Sequence, residues 1–157
     1  MGLLAVGAAS VLLTMVYGLQ LDGTNRETSA ASRGARAVLE QIRAEDLADV
    51  LTLYNADASD DPDGAGSAPG DAFGITFLER TAGATSPGSV VLPFDTDGVV
   101  RETADLPELG FPRDLNGDGV LDADDRSADL LVLPVIVRVR WDGVNGERVL
   151  AYRTVLR

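Results

Sequence analysis

The 157-residue chain has no histidine, no cysteine and no lysine, and all 13 of its basic residues are arginine, against 25 aspartates and glutamates. Each absence removes chemistry. Without His or Cys there is no Ser-His triad, no thiolate nucleophile and no imidazole or thiolate zinc site. Without Lys there is neither a phosphate-gripping P-loop nor a Schiff base. A net charge of −12 repels nucleic-acid phosphates, and the arginines are scattered rather than gathered into a stripe. The length suits one domain. The chain reads as a small acidic non-enzyme; paired carboxylates of a hydrolase are a weaker alternative, because nothing singles out two of the many aspartates. Phe94-Asp95-Thr96-Asp97-Gly98 is near the Asp-Thr-Gly of aspartic proteases, but Asp97 interrupts it and no second copy exists, so it reads as a turn.

From Met1 to Leu21 there is no charged residue, and only Ser10, Thr14 and Gln20 break the apolar run. As a helix rising about 1.5 Å per residue, this stretch reaches roughly 30 Å, the thickness of a bilayer's hydrocarbon core. It is expected to span a membrane. A secretory signal peptide would want a basic n-region, whereas nothing basic precedes Arg26. A buried core helix would be shorter and keep a polar face, which leaves a plain anchor as the main competing use. Gly2, Ala5, Gly7, Ala8, Ala9 and Ser10 crowd the first half of the run. Small residues let helix backbones approach closely in lipid, so this helix is expected to pack against others. Arg26, Arg33 and Arg36 on the following flank would, by the positive-inside rule alone, keep the larger part in the cytoplasm, unless basic residues upstream of Met1 are missing.

The helical pattern is expected to continue from Asp22 to Tyr54, with Ala35, Val38, Leu39, Ile42, Val50 and Leu53 forming a stripe that Asp46 interrupts. Asp57 to Asp71 is rich in Asp, Gly, Ser and Pro and reads as a loop. Strand character follows at Phe73–Leu78, Ser89–Phe94 and Val99–Glu102, and most strongly at Leu130–Trp141 and Arg148–Leu156, which flank the hairpin signal DGVNGE. Val135, Val137, Val139 and Trp141 would share one face and Ile136, Arg138 and Arg140 the other, with Pro134 at an edge or bulge. A one-sided apolar sheet needs a cover, and the second half of the long helix is the amphipathic element available.

Asp114 to Asp125, DLNGDGVLDADD, fits a twelve-residue calcium loop. Asp114, Asn116 and Asp118 would offer side-chain oxygens, Val120 its carbonyl, Asp122 a direct or water-mediated contact, and Asp125 the closing carboxylate. Gly119 falls at the sharp turn and Leu121 at the apolar anchor position. The competing reading is two Asn-Gly and Asp-Gly turns in an acidic protein, but clustered carboxylates without a cation repel one another. The predicted cofactor is a structural Ca2+. Asp replaces the longer Glu at the last position, and Pro107 and Pro112 forbid a proper entering helix, so a full EF-hand and a calcium-triggered opening are not expected. A weak site of this kind is useful where calcium is millimolar, which points outside the cytoplasm.

Taken together, MGLLAVGAASVLLTMVYGLQL running into an amphipathic helix, a loop and the closing hairpin VIVRVRWDGVNGERVLAYRTVLR resembles the type IV pilin-like proteins, including minor pilins and type II secretion pseudopilins. The resemblance covers nearly the whole chain and implies an α+β, pilin-like fold. In it, residues 1–21 form the transmembrane, filament-core half of the helix and residues 22–54 the amphipathic half. A loop over 55–72 leads to an antiparallel sheet domain over 73–157 carrying the calcium-type loop 114–125. It implies a structural filament subunit, single-pass in the inner membrane before assembly and periplasmic or extracellular afterwards, with other pilin-like subunits as partners. Some pseudopilins bind calcium in a C-terminal loop, which is similar in spirit to 114–125. The family's basic leader and its early acidic residue have no counterpart here, since no acid precedes Asp22; Met1 looks like an internal methionine of such a helix, with the leader expected upstream. A membrane-anchored, extracytoplasmic calcium-binding or adhesion module is the alternative.

Overall fold

The computed structural model describes residues 2–157; for residues 2–14 and Val16 it describes the helical backbone without the side chains, so the expected membrane span over 1–21 falls largely outside the described residues. Among the described residues, no helix is long and apolar enough to cross a membrane. The fold is α+β: one long helix, α1 (Gly2–Ile42), a short α2 (Leu47–Leu53), and a curled antiparallel sheet of β1 (Ala72–Phe73), β2 (Glu79–Arg80), β3 (Gly88–Val91), β4 (Leu133–Gly143) and β5 (Gly146–Leu156).

β4 and β5 are the frame. They pair over their full length, from Leu133↔Leu156 to Gly143↔Gly146, around the two-residue turn Val144-Asn145. Gly146 closes that turn at φ +100°, a conformation that an L side chain resists. β3 pairs with residues 136–139 of β4, and β2 with Trp141 and Asp142. The β3 ladder stops at Ile136, so Pro134, with no N–H to donate, is paired only with β5. Val135, Val137, Val139 and Trp141 are buried on one face, as the alternation predicts. Their cross-strand partners are Thr154, Tyr152, Leu150 and Arg148.

That face is covered by the second half of α1. Ala31, Ala35, Leu39 and Ile42 recur at helical spacing and are buried in the same core. Two alanines at the contact bring the helix close to the strands. The Ser32 hydroxyl lies 2.8 Å from the Tyr152 hydroxyl, and the Arg36 guanidinium sits 5.6 Å from the centre of the Tyr152 ring. At the hairpin end Glu27 accepts from Trp141 Nε1 and from the Val144 N–H, both at 3.3 Å, while Asn145 Nδ2 donates to Thr24 Oγ1. Contact between helix and sheet thus runs from Thr24 to Ile42, and the α1 residues before Thr24 extend past the hairpin tip.

The continuous helix expected from Asp22 to Tyr54 is broken. After Ile42 the chain makes a tight turn, with Ala44 N–H donating to the Gln41 carbonyl and Glu45 N–H to that of Ile42, and Asp46 is extended as the N-cap of α2. The break serves burial: Asp46 interrupts the apolar stripe, and redirecting the chain there lets Val50, Leu51 and Tyr54 reach the core that Ile42 already occupies. The strand expected at Phe73–Leu78 is likewise split into β1 and β2 by a turn at residues 74–78. Val99–Glu102 contributes only an isolated bridge between Val100 and Phe94. A 3₁₀ turn at Pro107–Leu109 lies toward the opposite side of β4, where Glu108 pairs with Arg138.

Because Ala35 is fully buried between α1 and the sheet, Ala35→Leu is expected to overpack the contact and cost about 1–3 kcal/mol, read as a lower urea midpoint with an unchanged slope.

Candidate functional site

Two features stand out from the scaffold: the acidic lobe after the 3₁₀ turn, and the length of α1 beyond the sheet. The lobe is stapled at its base. Arg113 N–H donates to the Glu102 carbonyl at 2.9 Å, Arg126 N–H to the Val100 carbonyl at 2.9 Å, and the N–H groups of Leu131 and Val132 both reach the Leu115 carbonyl. Leu115 is fully buried and ties the lobe to the core. Leu121, expected as the apolar anchor, is 48% exposed instead, so the anchor sits one residue after the start of the motif and not at its eighth position.

Within the lobe, residues 114–120 are tightly wound. Asp114 accepts from the Gly117 N–H at 2.6 Å and the Gly119 N–H at 2.9 Å; both glycines have positive φ. Asn116 Oδ1 accepts from the Asp118 N–H, and Asp118 Oδ1 from the Val120 N–H. Asn116 Nδ2 also donates to Asp118 Oδ2 at 3.0 Å. The Val120 N–H, followed by the Asn116 amide, holds the Asp118 carboxyl below the usual aspartate range. Asp122 and Asp125 each take a local backbone N–H, from Asp124 and Ser127. Asp122 also pairs with Arg126, whose other terminal nitrogen reaches Asp129 at 3.1 Å.

The six candidate ligands, Asp114, Asn116, Asp118, Val120, Asp122 and Asp125, are therefore in one contiguous lobe, where side-chain oxygens of Asp114, Asn116, Asp118, Asp122 and Asp125 accept from backbone N–H groups, Asp118 also from the Asn116 amide and Asp122 from Arg126. Among the described residues, no group of three or more Asp or Glu side chains is arranged to hold a metal ion. Calcium at Asp122 would compete with Arg126 for that carboxylate.

Three participants were not foreseen. Glu102 is fully buried beneath the lobe and accepts from the Leu115 N–H at 2.7 Å, the Asn116 N–H at 3.4 Å and the Asp122 N–H at 3.3 Å, so one carboxylate clamps both ends of the motif. Nothing near Glu102 in sequence marks this, because its partners lie 13 to 20 residues away. Arg126 had a signal, standing four residues after Asp122. Arg101 is the third: it grips Asp97 with both terminal nitrogens and donates to the Ala123 carbonyl at 3.0 Å, tying the 95–98 turn to the lobe. The Asp97 carboxyl is held below its ordinary range chiefly by that Arg101 hydrogen bond.

On the helix, Met15, Tyr17, Leu19 and Leu21 are each more than 60% exposed, an apolar surface without cover before Thr24.

Comparisons with protein-family models, with curated proteins and with solved structures find no match to this chain.

Glu102→Ala would leave buried N–H groups unpaired, at about 1–3 kcal/mol each for those that water cannot reach. The expected outcome is loss of amide-exchange protection at Leu115 and Asp122 with the β4–β5 ladder retained, followed by NMR. Acid should loosen the same lobe. The folded pKa values of Asp97 and Asp118 are depressed, so their contribution is fully present above the unfolded aspartate value of about 4 and fades as pH falls through the lower folded values. Lobe amide shifts should move in that window before global unfolding.

Proposed function

We propose that this chain is a non-enzymatic structural subunit of a filament of the type IV pilus or type II secretion kind, held in a membrane by the first half of α1 and assembled by packing that half against like helices. The observation that carries the reading is the division of α1. It is one helix of 41 residues, about 60 Å long, whose sheet contact begins only at Thr24. The preceding stretch has no charged residue before Asp22, is rich in small residues in its first half, and exposes large apolar side chains where they are described. Leaving that much apolar surface in water is costly, at roughly 25 cal/mol per Å². A membrane followed by sibling helices removes the cost at both stages. The α+β body, a helix backed by a closing hairpin, is compatible with this use.

The cysteine-free chain makes the test clean. With Ala9→Cys as its only thiol, the full chain in native membranes should give an oxidation-dependent disulfide-linked dimer; monomer alone would overturn the filament reading.

A second reading, favoured by the winding of residues 114–120 around Asp114, is a calcium-binding module. Calcium would bind at Asp114, Asn116, Asp118, Val120, Asp122 and Asp125, in competition with Arg126 for Asp122. For a site with a dissociation constant near 10⁻⁴ M, 1 mM calcium adds about 1.4 kcal/mol, or roughly 3–6 °C in melting temperature for a chain of this size. Asp118→Ala should remove that shift; an unchanged melting curve in calcium would overturn the reading.

A further inference from the structure

The body of the protein holds two exposed apolar side chains at the end from which α1 emerges. Phe77 is 88% exposed and has φ +71°, the left-handed region, the only non-glycine residue with positive φ among the described residues. The backbone is strained there, and the ring gains almost no burial within the chain in return. The turn that presents it is pinned. Ile75 packs on Gly34 of α1, where a Cβ would stand only 2.8 Å from Ile75 Cδ1, and Leu78 is buried and donates its N–H to the Ile75 carbonyl. Phe77 itself lies nearer the amino-terminal end of the helix, lining an open groove with Gly23, Arg26, Glu27, Ala30 and Arg33. Val144, at the tip of the β4–β5 hairpin, is 55% exposed. Its Cγ2 lies 3.4 Å from where a Cβ on Gly23 would stand, and its N–H is held by Glu27.

We infer that Phe77 and Val144 form a collar that rests the body of the protein on the lipid headgroup layer around the emerging helix. The inference rests on the membrane placement in the filament reading and adds an interfacial contact to it. Position selects the occupant. Gly23, which Val144 touches, stands two residues beyond Leu21, where the uncharged run ends and Met15, Tyr17, Leu19 and Leu21 are exposed. At about 100° per residue, Gly23, Arg26 and Ala30 fall within about 60° of one another, so Val144 and Phe77 stand on one flank of α1. With Leu21 at the edge of the hydrocarbon, Val144 lies about 3 Å beyond that edge along the helix axis and Phe77 about 10 Å beyond it. The headgroup layer is about 5–8 Å deep. A tilt of about 20° toward this flank, ordinary for a spanning helix, lowers a side chain about 10 Å from the axis by roughly 3 Å. Both residues then enter the layer. The surroundings of Phe77 suit it as well, because Arg26, Glu27 and Arg33 set charges of both signs beside an aromatic ring, a mixture at home among zwitterionic headgroups. The contact fixes the tilt of α1 and the side of the body that faces the membrane.

The test uses the full chain in phosphatidylcholine vesicles whose lipids carry bromine near the headgroup end of the acyl chains, where it quenches a nearby tryptophan. Trp141 is the single tryptophan and is buried, so the wild type supplies the background. Phe77→Trp and Val144→Trp keep the apolar surface; Leu131→Trp, exposed beyond the opposite end of the hairpin, is the control. Quenching above background should be several-fold stronger at 77 and at 144 than at 131. Quenching at either position no stronger than at 131 would overturn the collar. So would a Phe77→Trp emission that bromine leaves untouched but that shifts to shorter wavelength as protein density rises, since a second copy would then cover the ring. Tyr17→Trp separates this inference from the reading beneath it. If 17 is quenched and 77 is not, the collar is wrong and the membrane placement stands; if neither is, both fall. Quenching at 77 without 17 would mean adsorption of a chain whose helix is not inserted, and overturns the collar as well.

Discussion

Everything in this molecule depends on one contact, the burial of residues 24–42 of α1 against the β4–β5 face. A long hairpin with one apolar face is marginal by itself, and Val135, Val137, Val139 and Trp141 become a core only when Ala31, Ala35, Leu39 and Ile42 lie over them. The contact is apolar along its length and polar at one end, where Glu27 and Thr24 hold the hairpin tip. The polar end sets the helix register against the strands. It also marks where the sheet stops supporting the helix.

Charge is distributed unevenly around that contact. Part of the charge around the acidic lobe is paired, with Arg101 on Asp95 and Asp97 and Arg126 on Asp122 and Asp129, while buried Glu102 is satisfied by backbone N–H groups. Along the exposed flank of α1 the balance is reversed, and Arg26 and Arg33 stand without ion pairs among the described residues. The two regions suit different tasks. The lobe is held by hydrogen bonds to its own backbone and by Arg126, and the helix flank before Thr24 is exposed. The weight of the functional reading therefore falls on the helix.

Much of the architecture was legible in the chain because it follows from short-range periodicity. Alternation over residues 133–141, the Asn-Gly of the turn and the spacing of Ala35, Leu39 and Ile42 each report a local preference that the tertiary structure then uses. The break at residues 43–46 was visible only as Asp46 disturbing a stripe; the choice to turn there came from the space available over the core. Phe73–Leu78 has strand composition, yet its middle is a turn pinned by Ile75 on Gly34, a contact between segments 41 residues apart that no window contains. In the lobe, the spacing of Asp114, Asn116, Asp118 and Asp122 marks a segment that winds on itself through Asp114, Asn116 and Asp118. Two of the groups that hold the segment, Glu102 on its backbone N–H groups and Arg126 on Asp122, lie outside the motif's own spacing.

The pairing of the first helix with the last hairpin also fixes an order of events during synthesis. Thr24 meets Asn145 and Ser32 meets Tyr152 across separations of 121 and 120 residues, so the core cannot close until the final strand has left the ribosome. Until then the nascent chain holds a bare amphipathic helix and an acidic tether with nothing to fold onto.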